Sequence, residues 1–295
     1  MKHILFSILV VAVAFYFFTT NSQSIESAIA NKTVADSTAT SVNLPQSDDG
    51  KADNKPVTTT TESKDYHLPS ILNDRPEQII NHSALTISWN EKLCLPNYVA
   101  WILTEERVSG DVERLDDFQP DPLIDNSPTW ADYRGSGYDR GHMCPSADNK
   151  HSMRAQKECF YMTNMCPQTH SLNAGDWNEL EGRCRKWTKK YGNLYIVSGP
   201  VINGYPTSGK LNNEYIANGK IIVPDAFFKV IMRCGQYGAK AIGFICPNGT
   251  QNNDIKEYAV TVDHVEAITG IDFFCNLPDA EENKAEERFD LNDWK

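Results

Sequence analysis

The sequence has no Cys-x-x-Cys pair among its 8 cysteines, which argues against a conventional zinc ribbon or finger. No cysteine precedes Cys94, so an N-terminal lipidated cysteine is excluded. No internal repeat is present, and no recognition-helix or aromatic RNA-binding signature occurs, which leaves no evident device for reading bases. Positive charge is also short: the 295 residues carry a net charge of −11, against a wholesale basic coat for nucleic acid. With 40% apolar and 23% charged residues the chain is neither collagenous nor uniformly disordered.

The average charge conceals an asymmetry. Residues 139–240 hold 14 Lys and Arg against 8 Asp and Glu, a basic island in an acidic chain. Arg183, Arg185, Lys186, Lys189 and Lys190 fall within two turns of a helix, so a solvated helix face explains that island as well as an anion site does.

Residues 1–70 differ from the rest. Met1-Lys2-His3 is followed by an apolar run from Ile4 to Phe18, short for a membrane span and suited to a signal peptide. Residues 1–30 therefore read as a signal peptide or an uncleaved N-terminal anchor, and residues 31–70 as a flexible linker rich in Ser, Thr and Asp. Both imply an exported protein, in the periplasm, outside the cell or anchored facing outward. An even set of eight cysteines, all in the remaining domain, then suggests disulfides.

Residues 71–278 read as one domain and 279–295 as an acidic C-terminal tail. Short β-branched or aromatic runs predict strands at 98–103, 160–162, 194–197, 227–232 and 241–246, the last two joined as a hairpin around Gln236-Tyr237-Gly238. Trp177, Leu180, Cys184, Trp187 and Tyr191 recur at helical spacing, predicting one long helix over about 171–191. A second helix is expected near 261–269, ending at Gly270. Mixed order without regular βα alternation indicates an α+β fold with a mainly antiparallel sheet.

The chemistry concentrates in Asp139-Arg140-Gly141-His142 and the helix after it. In an extended strand Arg140 and His142 share a face, placing a fixed cation beside a base of near-neutral pKa. Asn173, Trp177, Glu181 and Arg185 form an i, i+4 ladder. Bland alternatives exist for each: a structural histidine, an N-cap for Asn173, a surface ion pair for Glu181 and Arg185. His142, Cys144, Cys166 and His170 also offer four potential zinc ligands.

Taken together, these motifs resemble those of the DNA/RNA non-specific endonuclease family, whose members include secreted bacterial nucleases and a mitochondrial endonuclease. Asp139-Arg140-Gly141-His142 matches its signature, Asn164-x-x-Pro167-Gln168 its following strand, and Asn173-x-x-x-Trp177-x-x-Leu180-Glu181 its metal-binding helix. Further likenesses, among them Ser198-Gly199-Pro200 and Glu266-x-x-Thr269-Gly270-x-Asp272-Phe273, extend it over roughly residues 98–277.

The resemblance implies a ββα-metal (His-Me) finger on a central sheet flanked by helices. It implies a nuclease that cleaves DNA and RNA to products with 5′-phosphates, using Mg²⁺ with Mn²⁺ as a substitute. His142 would be the general base, Asn173 the direct metal ligand and Glu181 an acceptor for metal-bound water. Asn164 would support the site, and Arg140, Arg185 and Arg114 would contact phosphate. In the finger, the segments bearing Cys144 and Cys166 approach each other, which makes that pair the favoured disulfide. The competing reading is a secreted module on the same fold that is inactive or binds zinc.

Overall fold

A computed structural model of the chain describes residues 65–203, 214–249 and 253–295. The N-terminal run and nearly all of the expected linker lie outside the described residues. Among the described residues no helix is long and apolar enough to cross a membrane.

The centre is a seven-stranded sheet whose neighbouring strands are all antiparallel. In spatial order it runs β1 (Gln78–Asn81), β2 (Thr86–Asn90), β3 (Leu95–Leu103), β6 (Leu194–Val201), β9 (Ala226–Gly235), β10 (Gly238–Pro247) and β11 (Ala259–Val260). Successive side chains of a strand point to opposite faces, and here both faces are covered. On β9, Phe227 and Ile231 enter one core, whereas Phe228, Val230 and Met232 enter the other. The β9–β10 hairpin turns where expected, with Gly238 at a φ of +93° that favours glycine.

Two small pairs lie outside this sheet: β4 (Asp139–His142) with β5 (Met165–Gln168), and β7 (Tyr215–Ile216) with β8 (Ile221–Ile222). The helices are α1 (Glu105–Ser109), α2 (Met153–Cys159), α3 (His170–Ala174), α4 (Asp176–Tyr191), α5 (Val262–Thr269) and α6 (Asp279–Glu286). α4 buries Trp177, Leu180, Cys184 and Trp187 in the core that also holds Trp101 and Phe227. α5 packs on the opposite face. Its ends follow the sequence signals: Thr261 accepts from the His264 N–H, and Gly270 is left-handed at φ 68°.

Several expectations need correction. The helix over 171–191 is broken, because Gly175 separates α3 from α4 with φ −100° and ψ −111°. A Cβ at Gly175 would lie 2.4 Å from the Ser171 carbonyl oxygen, so only glycine fits the corner. Residues 160–162 are not a strand. Phe160 follows α2 and Met162 opens a 3-10 turn, and a short apolar run does not distinguish such buried turns from strands. Residues 279–295 are folded rather than a tail. The Trp294 carbonyl accepts from Trp187 Nε1 at 2.7 Å, and the Trp294 ring is buried against Trp187.

Candidate active site

The β4–β5 register pairs Gly141 with Cys166 and His142 with Met165. Gly141 lies close under Gln168, and a Cβ there would meet that side chain at 2.0 Å and displace it. Beyond β4 the chain turns sharply, and Asn164 holds the turn. Asn164 Oδ1 accepts from the Cys144 N–H at 3.0 Å, and its Nδ2 donates to the Cys144 and Cys159 carbonyls at 2.9 and 2.7 Å. Its amide is fully buried and committed to these bonds, which makes Asn164 a positioning residue.

The His142 ring sits among aromatic rings, edge-on to Phe160 at 4.9 Å and tilted against Phe118 at 5.7 Å. The Arg140 guanidinium covers Phe118 at 4.3 Å, and that of Arg114 covers Phe160 at 5.0 Å. Among the described residues, buried His142 Nε2 has no hydrogen-bond partner, and the buried side-chain amide of Gln168 has none either. Burial, with the Arg114 and Arg140 charges, holds the imidazole down to about 3, so at neutral pH it is the free base.

That shift has a thermodynamic consequence with a definite sign. An unfolded histidine, with a pKa of about 6.5, takes up a proton that the folded one refuses, so stability drains away as pH falls from about 6.5 toward 3. His142→Ala removes this penalty. The unfolding free energy of wild type relative to that variant is expected to drop by about 2 kcal/mol between pH 7 and pH 5, measured by denaturant titration. A pH-independent difference would contradict the assigned shift.

Two contacts tie the helices to β4. Asn173 Nδ2 donates to Asp139 Oδ2 at 2.9 Å, and Trp177 Nε1 donates to the His142 carbonyl at 3.2 Å. The Asn173 backbone N–H bonds to the Thr169 carbonyl at 3.0 Å, within α3, so the side chain is not an N-cap. With its nitrogen occupied by Asp139, the amide presents its carbonyl oxygen, a neutral hard donor suited to Mg²⁺. The expected four-residue ladder is therefore split: Trp177, Glu181 and Arg185 belong to α4, and Asn173 reaches the site from the far side of the Gly175 corner.

Beneath this layer lies a buried charge network. Arg185 Nη1 donates to Asp148 Oδ1 at 3.2 Å and stands 3.9 Å from Glu181 Oε2. Lys229, 1% exposed, sits over Trp177 at 4.4 Å and over Trp101 at 4.9 Å, and donates to Ser198 Oγ at 3.3 Å. Burial pushes Glu181 up to about 7, against the pull of the Lys229 charge. Such a carboxylate switches easily between accepting and releasing a proton near neutrality.

All seven residues singled out in the sequence thus lie in or against this region. Arg114 joins them through Phe160, although it lies in the irregular segment between α1, which ends at Ser109, and the 3-10 turn that opens at Trp130. Sequence reasoning missed Asp139 as the partner of Asn173, the Phe118–Phe160 pocket, Asp148, Arg107 and Lys229. The one available signal was Lys229, a lone charge inside the apolar run of β9.

The four candidate zinc ligands do not converge. Cys166 is fully buried, and His170 is exposed with its Nδ1 on Asp139 at 2.8 Å. Among the described residues the grouping of three or more potential ligands lies elsewhere, at Asp263, Glu266 and Glu286. The cysteines are free thiols, so the expected Cys144–Cys166 disulfide is absent. Cys166 pairs with Gly141 in the register, whereas Cys144 lies past the end of β4 in the turn that Asn164 holds. Burial pushes the Cys144 thiol up to about 12, which removes it as a nucleophile.

Residues 67–280 match the model of the DNA/RNA non-specific endonuclease family. The chain is 36% identical over 227 residues to the mitochondrial nuclease EXOG of Xenopus laevis, an alignment covering 72% of this chain and 62% of that protein. It is 34% identical over 217 residues to a nuclease of Nostoc sp., covering 69% and 76% respectively. It is 33% identical over 221 residues to human mitochondrial endonuclease G, covering 72% and 73%. A crystal structure of an EndoG/EndoGI complex superposes with a TM-score of 0.66 at 30% identity, covering 73% of this chain and 91% of that one. The chain spans about three-fifths of the length of the Xenopus relative. The expected exported localisation is overturned by these similarities, since the EXOG and endonuclease G relatives are mitochondrial.

Proposed function

Because the chain belongs to the DNA/RNA non-specific endonuclease family, we propose that it cuts DNA and RNA internally, with His142 drawing a proton from the attacking water. The observation that carries this reading is the neutral His142 imidazole, held in an aromatic pocket between two arginines. An imidazole kept unprotonated can accept a proton as soon as a phosphodiester is in place. The guanidiniums of Arg114 and Arg140 carry fixed positive charge at the same pocket, and Arg185 extends it along α4.

Mg²⁺ fits the donor set, because the Asn173 carbonyl oxygen is presented by its bond to Asp139 and Glu181 offers a further oxygen. When bound there, the ion supplies positive charge to the phosphate and the departing 3′-oxygen. Asn173 and Asp139 hold the ligand oxygen in place. Trp177 anchors the His142 carbonyl, and Asn164 fixes the turn behind it. The contacts envisaged are to phosphate and carry no base information, so cleavage is expected at many sequences. Mitochondrial relatives point to that compartment rather than export.

The test is digestion of covalently closed plasmid DNA and of a long RNA across a Mg²⁺ titration. Both polymers are expected to be cut internally, and Asn173→Ala is expected to need at least about tenfold more Mg²⁺ for half-maximal rate, the usual scale for a lost ligand-shell interaction. Cleavage at one short sequence alone, or an unchanged Mg²⁺ requirement, would refute the corresponding part.

A further inference from the structure

On the face of the sheet opposite His142, α5 and α6 bring three carboxylates together. Asp263 and Glu266 are three residues apart and so share one side of α5. Glu286 ends α6, and one oxygen from each of the three lies within 4.8 Å of the others. Glu286 is only 5% exposed, and among the described residues its Oε1 has no hydrogen-bond partner. By contrast, Glu266 Oε1 accepts from the Phe273 N–H at 2.8 Å. The charges bearing most on Glu286 are all negative: Glu266, Glu282, Asp263 and Asp272.

A buried carboxylate is ordinarily paired with a cation or a donor, because an uncompensated one is costly. None of these three forms an ion pair with a described lysine or arginine. Burial and the like charges push Glu286 up to about 9 and Glu266 up to about 7, so near neutral pH Glu286 keeps a proton that a bound cation would displace. The buried Glu286 carboxylate lies within this group with its Oε1 unpartnered among the described residues, which marks a place for a cation.

We propose that Asp263, Glu266 and Glu286 bind a Ca²⁺ ion that clamps the C-terminal helix α6 onto α5. Oxygens around one Ca²⁺ at about 2.4 Å lie no more than about 4.8 Å apart, and the three oxygens here fall within that limit. Ca²⁺ also accepts irregular, carboxylate-rich coordination completed by water, whereas Mg²⁺ requires a near-ideal octahedron. Asp263 is exposed and keeps one side of the cluster open to solvent, giving the ion a route in and room for water ligands. The site is separate from the reaction centre and acts on stability.

The experiment uses the full chain carrying Asn173→Ala, so that the reaction centre does not dominate cation binding. After chelator treatment, its thermal midpoint is followed with CaCl₂ or MgCl₂ alone. A rise of ~5 °C is expected at a hundredfold excess of Ca²⁺ over its dissociation constant, with a smaller rise in Mg²⁺. Adding Glu286→Gln, which removes a ligand oxygen, is expected to abolish the Ca²⁺ response. Should that variant fold poorly, Asp263→Asn at the exposed rim carries the test, with a Ca²⁺ requirement raised about tenfold or more. No Ca²⁺ response in the parent, or the same response in the variants, would overturn the assignment.

Discussion

Replacing His142 with alanine is expected to slow cleavage of both DNA and RNA by roughly 10²- to 10⁴-fold, the usual contribution of a general base. The fold should survive. The ring is held by Phe118 and Phe160 rather than by hydrogen bonds, and its Nε2 has no partner to strand. The anchoring bond from Trp177 goes to the backbone carbonyl, which the variant retains. Initial rates and thermal midpoints measured on the same preparations separate the two effects. A variant that keeps its rate would move the base elsewhere, and one that loses rate only in proportion to lost fold would make His142 structural.

The largest effect on stability is expected at Arg107, which the sequence did not single out. Its guanidinium is buried and donates to the carbonyls of Asp148, Ala84 and Ile102 at 3.1, 2.7 and 2.9 Å, and to Asn149 Oδ1 at 2.5 Å. It thereby joins β3 to the turn that follows His142. Its charge also stabilises the Asp148 carboxylate, which burial pushes upward. Arg107→Ala strands several buried acceptors at once, at a cost of about 3–5 kcal/mol. Chemical denaturation measures it, and Arg107→Lys should recover only part because an ammonium does not reproduce the planar fork. A loss below about 1 kcal/mol would mean that water replaces the guanidinium.

These two residues mark what a sequence displays and what it conceals. His142 is legible because its neighbours in the chain are its neighbours in space: Asp139 to His142 form one short strand, and the helical spacing of Trp177, Leu180 and Cys184 foretells a buried face. Arg107 is invisible because three of its four acceptors are backbone carbonyls drawn from three separate segments. Phe118 and Phe160 enter the site by tertiary packing alone, and Phe160 in a short apolar run imitates a strand. Gly175 shows the converse failure. Periodicity carries smoothly across it, but the steric demand of the Ser171 carbonyl breaks the helix and re-aims Asn173 toward Asp139. Cysteine number suggested an oxidised domain, whereas six of the eight thiols owe their place to packing rather than pairing, five of them fully buried in the cores. The acidic composition of 279–295 masked Trp294, whose carbonyl and ring both meet Trp187 on α4.

Product ends formed in H₂¹⁸O test the central claim most directly, namely that a water activated at His142 attacks phosphorus in DNA and RNA alike. Wild-type digestion of each polymer under limiting turnover, followed by mass spectrometry of the oligonucleotides, is predicted to give 5′-phosphates carrying one ¹⁸O and unlabelled 3′-hydroxyls from both. RNA ending in unlabelled 2′,3′-cyclic phosphate would show attack by the neighbouring hydroxyl instead of water, and would contradict the mechanism.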